Sequence, residues 1–432
     1  MSAASRAGAT RAPRWRTWTA TTTRTEPTLT PTTPTRTRTG RTLRALARCV
    51  EPVEPDRFLE DYWERRPLLV PRGEESRFDD LLSQAEVERL VSSTGLRYPA
   101  VRLVKEGERI PVGGYTETVP WRPTGFTATA NIERIAEQFE RGASIVLQAL
   151  HVHHLPVAEF CRELEGDLGH PVQTNAYYTP RSAQGLPVHH DTHDVFCLQV
   201  AGEKRWLVYE PALELPLKDQ RYSQELGGPG TPVLDVTLTP GDTLYLPRGW
   251  LHEALTSDSD SLHLTVGVNV YTWLDAVRAA LEESAHDEAG YRRAVAEGEE
   301  LPADLLDLLR QRLGAEAVTR RRREKFVSSR RPIRGDRFDQ LRAVRELDAE
   351  TLVERRASVL FDLEPSDDEV VLAFESRRLM FPTHAREELE AAAHADEPFR
   401  AADLPGRLDE KGRLVLVGRL VREGFLRVSL EE

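Results

Sequence analysis

Three residues in two separate segments have the types and the spacing of a metal site. His189 and Asp191 are two positions apart, so on an extended strand both side chains leave the same face. His252 follows in a second segment and completes a set of two imidazoles and one carboxylate. Such a set leaves metal positions open, as in non-haem Fe(II) oxygenases, whereas structural zinc takes four protein ligands, usually with thiolates. The sequence therefore predicts that His189, Asp191 and His252 bind Fe(II).

Other histidines compete for this role. His193 shares the face of His189 and Asp191 and is the main rival as third ligand. Three ligands at every second position of one strand would spread over about 13 Å, at ~3.3 Å per residue, so the third ligand is expected from elsewhere. His190 points to the opposite face, and His263 alternates with apolar neighbours and is expected to line a barrel. The alternative for any one of these residues is a core histidine with satisfied hydrogen bonds.

The elements around the second segment indicate how the ligands are positioned. A turn at Gly241 and Asp242, a short strand over residues 243–246, a second turn and then His252 are typical of the rim of a double-stranded β-helix. Strands bounded by Gly and Pro crowd the region between residues 172 and 271. Apolar spacing predicts helices over 56–66, 85–93, 132–141 and 157–168 before it, and over 274–296 and 302–313 after it.

Several segments resemble one family. The metal motif with residues 194–206, and residues 246–254 around His252, are similar to the JmjC-type cupin family (Cupin_4) of bacterial ribosomal oxygenases. Residues 58–70 are similar to the segment that opens the family's catalytic domain, and residues 175–180 match the strand before the metal motif. The resemblance implies a mainly β fold with α-helices: a double-stranded β-helix (cupin/JmjC) barrel, then a helical dimerisation region and a winged-helix domain. It also implies an Fe(II)- and 2-oxoglutarate-dependent protein hydroxylase that uses O2.

The second cosubstrate needs a cation, because a buried unpaired carboxylate is costly. Lys204 begins a predicted strand over residues 204–209, and the resemblance assigns the 2-oxoglutarate lysine to this position. The alternatives are a surface lysine beside Glu203, or Arg205, which faces the other way. The resemblance also implies that Asn175 and Tyr177 lie close to cosubstrate and substrate; otherwise they are sheet-capping and core groups.

Length and charge divide the chain. At 432 residues it is too long for one core. Nine arginines and one glutamate among threonines and prolines make the first 44 residues about +8, against a net charge of −12, so the remainder is about −20. Such a segment is expected to be disordered and could bind RNA electrostatically or be incidental. The predicted division is a tail over 1–44, a cupin catalytic domain over 45–273, a helical dimerisation region over 274–335 and a winged-helix-like domain over 336–432.

The last hundred residues are similar in order to the family's winged helix. A strand over 367–374, helices over 385–393, 399–404 and 414–423, and a strand over 425–428 are predicted. Duplex binding needs a basic face, so the acidity of this region favours support of a homodimer over specific DNA binding. The run Arg320 to Arg323 is expected to end the helical block, either as an RNA contact or as a solvated helix face paired with acidic neighbours.

The cellular setting and the substrate follow less directly. Three cysteines without a paired motif, no run of eighteen apolar residues and no apolar N-terminal segment favour a cytoplasmic protein that no membrane holds. The resemblance implies hydroxylation of an arginine or histidine side chain of a ribosomal protein, and the acidic body is expected to attract a basic loop. Arg221 stands where the histidine-hydroxylating members usually have a polar amide. A peptide natural product as substrate, or a non-catalytic metal-binding cupin that acts as a structural or sensing module, are the alternatives.

Overall fold

Short helices and antiparallel strands alternate along residues 43–429, the part of the chain that this computed structural model describes, without residues 121–124, 182, 184–185, 257, 334 and 358. The helices are α1 (Arg44–Val50), α2 (Pro55–Asp61), α3 (Gln84–Ser93), α4 (Ile132–Glu140), α5 (Leu155–Leu168), α6 (Trp273–Asp287), α7 (Ala303–Arg312), α8 (Ala315–Ser328), α9 (Arg337–Ala343), α10 (Arg386–His394) and α11 (Glu410–Glu423). The predicted tail lies outside the described residues up to residue 42, and Arg44 already belongs to α1.

Most strands belong to the middle of the chain. They are β1 (Leu68–Val70), β2 (Val101–Lys105), β3 (Glu108–Arg109), β4 (Thr116–Val119), β5 (Phe126–Ala130), β6 (Ser144–Leu147), β7 (Val172–Thr179), β8 (Asp194–Ala201), β9 (Lys204–Tyr209), β10 (Leu234–Leu238), β11 (Thr243–Leu246), β12 (Leu251–Thr256), β13 (Ser261–Val268), β14 (Leu352–Arg355), β15 (Phe361–Pro365), β16 (Glu369–Phe374), β17 (Arg377–Pro382), β18 (Phe399–Arg400) and β19 (Leu426–Val428). The strands predicted over 204–209 and 243–246 have these bounds in the structure.

Two antiparallel sheets form the barrel. The larger has eight strands in the order β1-β11-β8-β13-β7-β6-β2-β3, and the smaller has the order β10-β9-β12. Apolar side chains of both sheets meet in one buried cluster, which includes Val195 and Leu244 from the larger sheet and Trp206 and Val208 from the smaller. Because side chains alternate along each strand, one face of each sheet supplies this interior. The predicted double-stranded β-helix is confirmed.

The outer face of the larger sheet is covered by the N-terminal helices. Phe58 of α2 packs edge-on against Tyr245, with ring centroids 4.8 Å apart. It also packs at a tilt against Phe196, with centroids 5.6 Å apart. Helix α5 packs on β7 and α1 and ends at Gly169, whose φ of +66° is the left-handed conformation that glycine adopts without strain. These contacts cover the outer face of the larger sheet, so its inner face can line a site.

Two expectations for the helical region need correction. The helix predicted over 274–296 begins at Trp273 with a Thr272/Asp275 capping box, but it ends at Asp287, since Glu288 is extended and a short 3-10 turn follows. The arginine run does not end the block but lies inside α8. There Arg321 pairs with Glu283 and Arg323 with Asp362 at 2.9 Å, so the ion-paired alternative describes it better than the RNA contact.

Helices α9 to α11 and two three-stranded sheets, β18-β14-β19 and β15-β16-β17, follow. The helix predicted over 399–404 is wrong in its first part, because Phe399–Arg400 pairs with β14 and only one 3-10 turn follows. The winged-helix assignment and the domain boundaries stay predictions. Within residues 43–429, apart from the gaps given above, no helix has the length and apolar character to cross a membrane.

Candidate active site

A short backbone bridge brings the two predicted histidine ligands together. His189 N donates to the carbonyl of His252 at 3.1 Å, and His252 N donates to the carbonyl of His189 at 2.8 Å. This isolated antiparallel pair puts the imidazole centroids 4.4 Å apart. Gly249 N donates to the carbonyl of Asp191 at 3.0 Å, so the turn before β12 also holds the third residue. Two segments that are distant in sequence are thus joined at the atoms that a metal needs.

The side chains converge on one point. Ligand atoms of His189, Asp191 and His252 all lie within 4.8 Å of one another, and His252 Nε2 is 3.8 Å from Asp191 Oδ2. Each Nδ1 contacts a carbonyl oxygen, that of Pro187 at 2.8 Å for His189 and that of Trp250 at 3.0 Å for His252. A carbonyl only accepts, so each Nδ1 carries the proton and each Nε2 keeps its lone pair for a metal.

The protonation states also suit metal binding. Burial, with the neighbouring His189, lowers the pKa of His252 to about 4. Burial pushes the pKa of Asp191 upward, but His193, His252 and the other imidazoles outweigh it and hold that pKa below its ordinary value. At neutral pH the site therefore combines a neutral imidazole with a carboxylate, the forms in which these groups bind metals.

The competing histidines have other surroundings. The His193 ring lies against β13, where a Cβ on Gly267 would be only 2.2 Å from its Cδ2. It lines the same cavity but is not part of the converging set. His190 is buried on the other side, with Nε2 2.9 Å from the carbonyl of Gln220. The structure therefore brings together the predicted residues His189, Asp191 and His252, and His193 lies outside this converging set.

A cavity of about 510 Å³ opens beside the three ligands. Tyr177 and His263 form part of its wall, with parallel rings 5.1 Å apart. Burial raises the pKa of Tyr177 to about 12 and depresses that of His263, so both are uncharged at neutral pH. Asn175 also lines the cavity, and its Oδ1 accepts a hydrogen bond from Ala149 N at 2.9 Å. The buried His263 Nδ1 and Trp206 Nε1 have no hydrogen-bond partner among the described residues.

Lys204 lies inside this cavity and is 3% exposed. Its Nζ donates to Thr179 Oγ1 at 3.1 Å, and that hydroxyl also contacts Ser144 Oγ at 3.0 Å. In the described part of the chain no carboxylate pairs with the ammonium, and burial lowers its pKa to about 8. Arg205 instead lies outside and pairs with Asp235 at 2.6 Å. The position of Lys204 does not fit the surface-hairpin alternative.

The donor set fits the implied cofactor and cosubstrate. Two imidazole Nε2 atoms and one carboxylate are the donor set of a facial Fe(II) triad, and all three residues line the cavity. A buried ammonium without a counter-charge fits the far carboxylate of 2-oxoglutarate, since burying either charge alone is costly. The residues present can therefore hold both groups.

A buried ionic network behind the metal ligands was missed in the sequence. Arg248 donates to Asp194 at 2.8 Å and pairs with Glu64 at 2.5 Å, and Tyr245 donates to the same Asp194 at 2.9 Å. This network anchors the turn between β11 and β12, from which His252 follows. Asp194 closes the metal motif itself, so its position was visible, but nothing in the spacing indicated its partners.

The hairpin of β2 and β3 borders the same cavity and was also missed. Gly107, at its tip, lies so close to the metal segment that a Cβ would be 2.5 Å from Pro187 Cδ. Among the described residues, the charged side chains that line the cavity are Arg102, Arg109, Arg221 and Lys204, with the carboxylate of Asp191. The acidity expected to receive a basic loop is thus not found in the lining of this cavity.

Comparison with known families identifies the segment that carries these residues. Residues 150–276 match the family model described as JmjC domain. This segment is similar to a JmjC domain. It contains β7 to β13 and with them the three converging ligands and Lys204.

Curated relatives extend the similarity beyond this domain. The chain is 31% identical over 278 residues to human ribosomal oxygenase 1, covering 60% of this chain and 40% of that protein. It is 32% identical over 222 residues to the bifunctional lysine-specific demethylase and histidyl-hydroxylase NO66 of Drosophila persimilis, covering 50% and 30%. The chain thus spans well under half of the length of these relatives. The resemblance to ribosomal oxygenases predicted from the motifs is confirmed.

Solved structures show the same fold. Escherichia coli ribosomal oxygenase YcfD matches with a TM-score of 0.55 and 18% identity, covering 87% of this chain and 98% of that one. A structure of YcfD in complex with cobalt and 2-oxoglutarate matches with a TM-score of 0.53, covering 88% and 99%. At this identity the likeness concerns the fold, and the chemistry of the present chain depends on its own residues.

Proposed function

We propose that this protein is an Fe(II)- and 2-oxoglutarate-dependent oxygenase that uses O2 to hydroxylate an amino-acid side chain of a ribosomal protein. The observation that supports it most is the combination of a two-histidine, one-carboxylate set with an unpaired buried lysine in one cavity. The names of the relatives, ribosomal oxygenase and histidyl-hydroxylase, support the substrate class and the reaction.

Different residues of the cavity are proposed to bind the metal and the cosubstrate. His189, Asp191 and His252 would hold Fe(II), which supplies the activation of O2 for hydroxylation of a C–H bond, coupled to conversion of 2-oxoglutarate to succinate and CO2. Lys204 and Thr179 would hold the far carboxylate of 2-oxoglutarate by charge and hydrogen bond.

The wall residues orient the reactants. Tyr177, stacked on His263, presents a neutral phenol next to the space for substrate, and Trp206 packs edge-on against His263 at 5.6 Å. Together these three rings form a packed part of the cavity wall. Asn175 fixes the start of the wall through its bond to the Ala149 backbone.

The test combines turnover with product identification. Purified protein with Fe(II), 2-oxoglutarate and ribosomal proteins from a strain that lacks this enzyme should release succinate and add the mass of one oxygen atom to one arginine or histidine. His252→Ala should abolish the product, and Lys204→Met should raise the concentration of 2-oxoglutarate that turnover requires. If 2-oxoglutarate is bound but no ribosomal protein gains oxygen, a peptide natural product becomes the better substrate candidate. If neither metal nor 2-oxoglutarate binds, the protein is a non-catalytic cupin.

We also propose a homodimer through the helical region. Trp273, Val277 and Leu281 lie at four-residue intervals on α6 and are 74%, 36% and 41% exposed. An apolar stripe of this kind is costly in water and is relieved by a symmetric partner. Leu281→Glu with Trp273→Glu should give monomers in sedimentation, and a monomeric wild-type protein would rule the dimer out.

The cellular location and the remaining regions are proposed on smaller grounds. The three cysteines are buried and free, which suits a reducing cytoplasm. The C-terminal region is proposed to support the dimer as a winged-helix-like domain without specific DNA binding. The proposed domain division remains a tail over 1–44, a catalytic domain over 45–273, a helical region over 274–335 and the C-terminal region over 336–432.

A further inference from the structure

The cavity has more positive charge than the proposed cosubstrate needs. Lys204 alone would neutralise the far carboxylate of 2-oxoglutarate, while Arg102, Arg109 and Arg221 also line the cavity. The one carboxylate that the described residues contribute to its lining, Asp191, is part of the candidate metal set. These three arginines form no ion pair with any residue that the structure describes. The Nε atom of Arg102 is buried and has no hydrogen-bond partner among the same residues. A cleft lined by charges of one sign attracts ligands of the opposite charge.

The register of the sheet sets the distance from these arginines to the reacting end. Arg102 is opposite Val146, Val146 is opposite Tyr177, and Tyr177 is opposite His263, so the four form one row across β2, β6, β7 and β13. Neighbouring strands are ~4.8 Å apart, so the backbones at Arg102 and Tyr177 are about 10 Å apart. One extended residue of a substrate spans ~3.3 Å, so a group two to three residues from the reacting side chain would reach the arginine.

Arg109 lies on the same face. It is opposite Val104, which is two residues from Arg102 and lines the cavity with it. Gly107, in the hairpin that carries Arg109, lies against Pro187. Pro187 stands two residues before the candidate ligand His189. Arg102 and Arg109 thus line the same cavity as Pro187 and Tyr177.

We propose that Arg102 and Arg109 bind a carboxylate of the substrate peptide, so that the protein selects a segment with an acidic residue near the hydroxylated side chain. The proposal rests on the proposed function, because it names the substrate class of that same cavity. Paired arginines suit this role, since a guanidinium offers two parallel donors to a carboxylate. Arg221, from the loop before residue 224, adds to the same positive potential.

The experiment selects peptides by binding. A displayed library of random nonapeptides is selected on the full chain loaded with Mn(II), in place of Fe(II), and 2-oxoglutarate. We expect Asp and Glu to be enriched at a fixed distance from the central residue by about tenfold, equivalent to ~1.4 kcal/mol. Arg102→Gln with Arg109→Gln should lose this preference, Arg102→Lys should keep part of it, and the control Arg205→Gln, which removes a charge outside the cavity, should keep all of it.

The cosubstrate is measured separately. The concentration of 2-oxoglutarate that half-saturates the protein should be unchanged in the double variant, because Lys204 and Thr179 are intact. Selection of basic or uncharged peptides, or of none, would overturn the proposal, as would a double variant that weakens 2-oxoglutarate binding while the acidic preference persists. If the wild type binds no 2-oxoglutarate, the proposed function fails, whereas the peptide preference is judged on the selection alone.

Discussion

Two buried groups of charged residues in this protein differ in how their charges are balanced. The ion-pair cluster consists of Arg162, Glu165, Arg330 and Glu375, and the cavity cluster consists of Lys204 with the three candidate metal ligands. In the first, Arg162 pairs with Glu165 at 3.0 Å and with Glu375 at 3.3 Å, and Arg330 pairs with Glu165. In the second, Lys204 has a hydroxyl partner but, in the described residues, no counter-charge.

The difference separates structural charges from those reserved for ligands. The ion-pair cluster joins α5 to the segment after α8 and to the turn between β16 and β17, so its two arginines and two glutamates neutralise one another inside the folded chain. The cavity cluster is left incomplete by the chain and is expected to be completed by a metal and a dicarboxylate. Removing a member should therefore cost stability in the first cluster and ligand binding in the second.

The largest expected effect is on the metal. His252→Ala should abolish Fe(II) binding, because it removes one of two Nε2 ligands and with it the facial set. His193→Ala is the matched control and should leave the metal in place, since its ring packs on Gly267. Metal content after dialysis, or calorimetric titration with Mn(II), measures this. Loss of metal in the His193 variant with retention in the His252 variant would reverse the assignment.

In the ion-pair cluster the expected loss is of stability. Arg162→Ala leaves Glu165 and Glu375 buried with less compensation, and the free energy of unfolding should fall by about 3–5 kcal/mol. Mn(II) affinity of the folded fraction should be unchanged. Denaturant titration checks the first value, with Arg57→Ala, which removes an exposed pair with Asp61, as the control. A fall no larger than that of the control would show that the cluster is not a structural clamp.

Lys204 should show the opposite behaviour. Lys204→Met keeps the length of the side chain but removes the cation, so the 2-oxoglutarate requirement should rise roughly a hundredfold, equivalent to ~3 kcal/mol. Metal binding should persist, and the melting temperature should stay the same or rise, because an unpaired buried ammonium is removed. A destabilised variant with unchanged 2-oxoglutarate dependence would place Lys204 among the structural charges.

The smallest expected effect is on pH dependence. Burial lowers the pKa of Lys204 to about 8 from an ordinary value of 10.5, so above pH 8 the ammonium loses its proton and 2-oxoglutarate binding should weaken by about tenfold per pH unit. Lys204→Arg should flatten this dependence, because a guanidinium stays charged. The unfolded chain binds more protons between pH 8 and 10.5, so Lys204 makes the free energy of unfolding rise with pH in that window. If the affinity of the wild type for 2-oxoglutarate did not change between pH 7 and pH 10, this prediction would be contradicted.

Local patterns were sufficient for much of the fold. The helix predicted over 85–93 is Gln84–Ser93 in the structure, and the strand predicted over 204–209 has its predicted bounds. The spacing of residues 241–252 predicted the rim on which His252 lies. One failure occurred where a distant partner decides the local conformation, since Phe399–Arg400 pairs with β14 instead of forming a helix.

The sequence by itself determined the types of the candidate ligands and the strand that Lys204 begins, because that strand depends on alternation within one segment. The strand expected at His189 and Asp191 does not form, since His189 lies in an isolated bridge and Asp191 in no strand. The sequence already favoured His252 over His193. Only the tertiary structure brings His252 to His189 and Asp191, through the backbone bridge of His189 and His252. It also decided that Arg102 and Arg109 line the same cavity and that Glu375 meets Arg162. These pairings join residues far apart in the chain, and the charge of a cavity depends on which segments fold around it, a relation that no local periodicity contains.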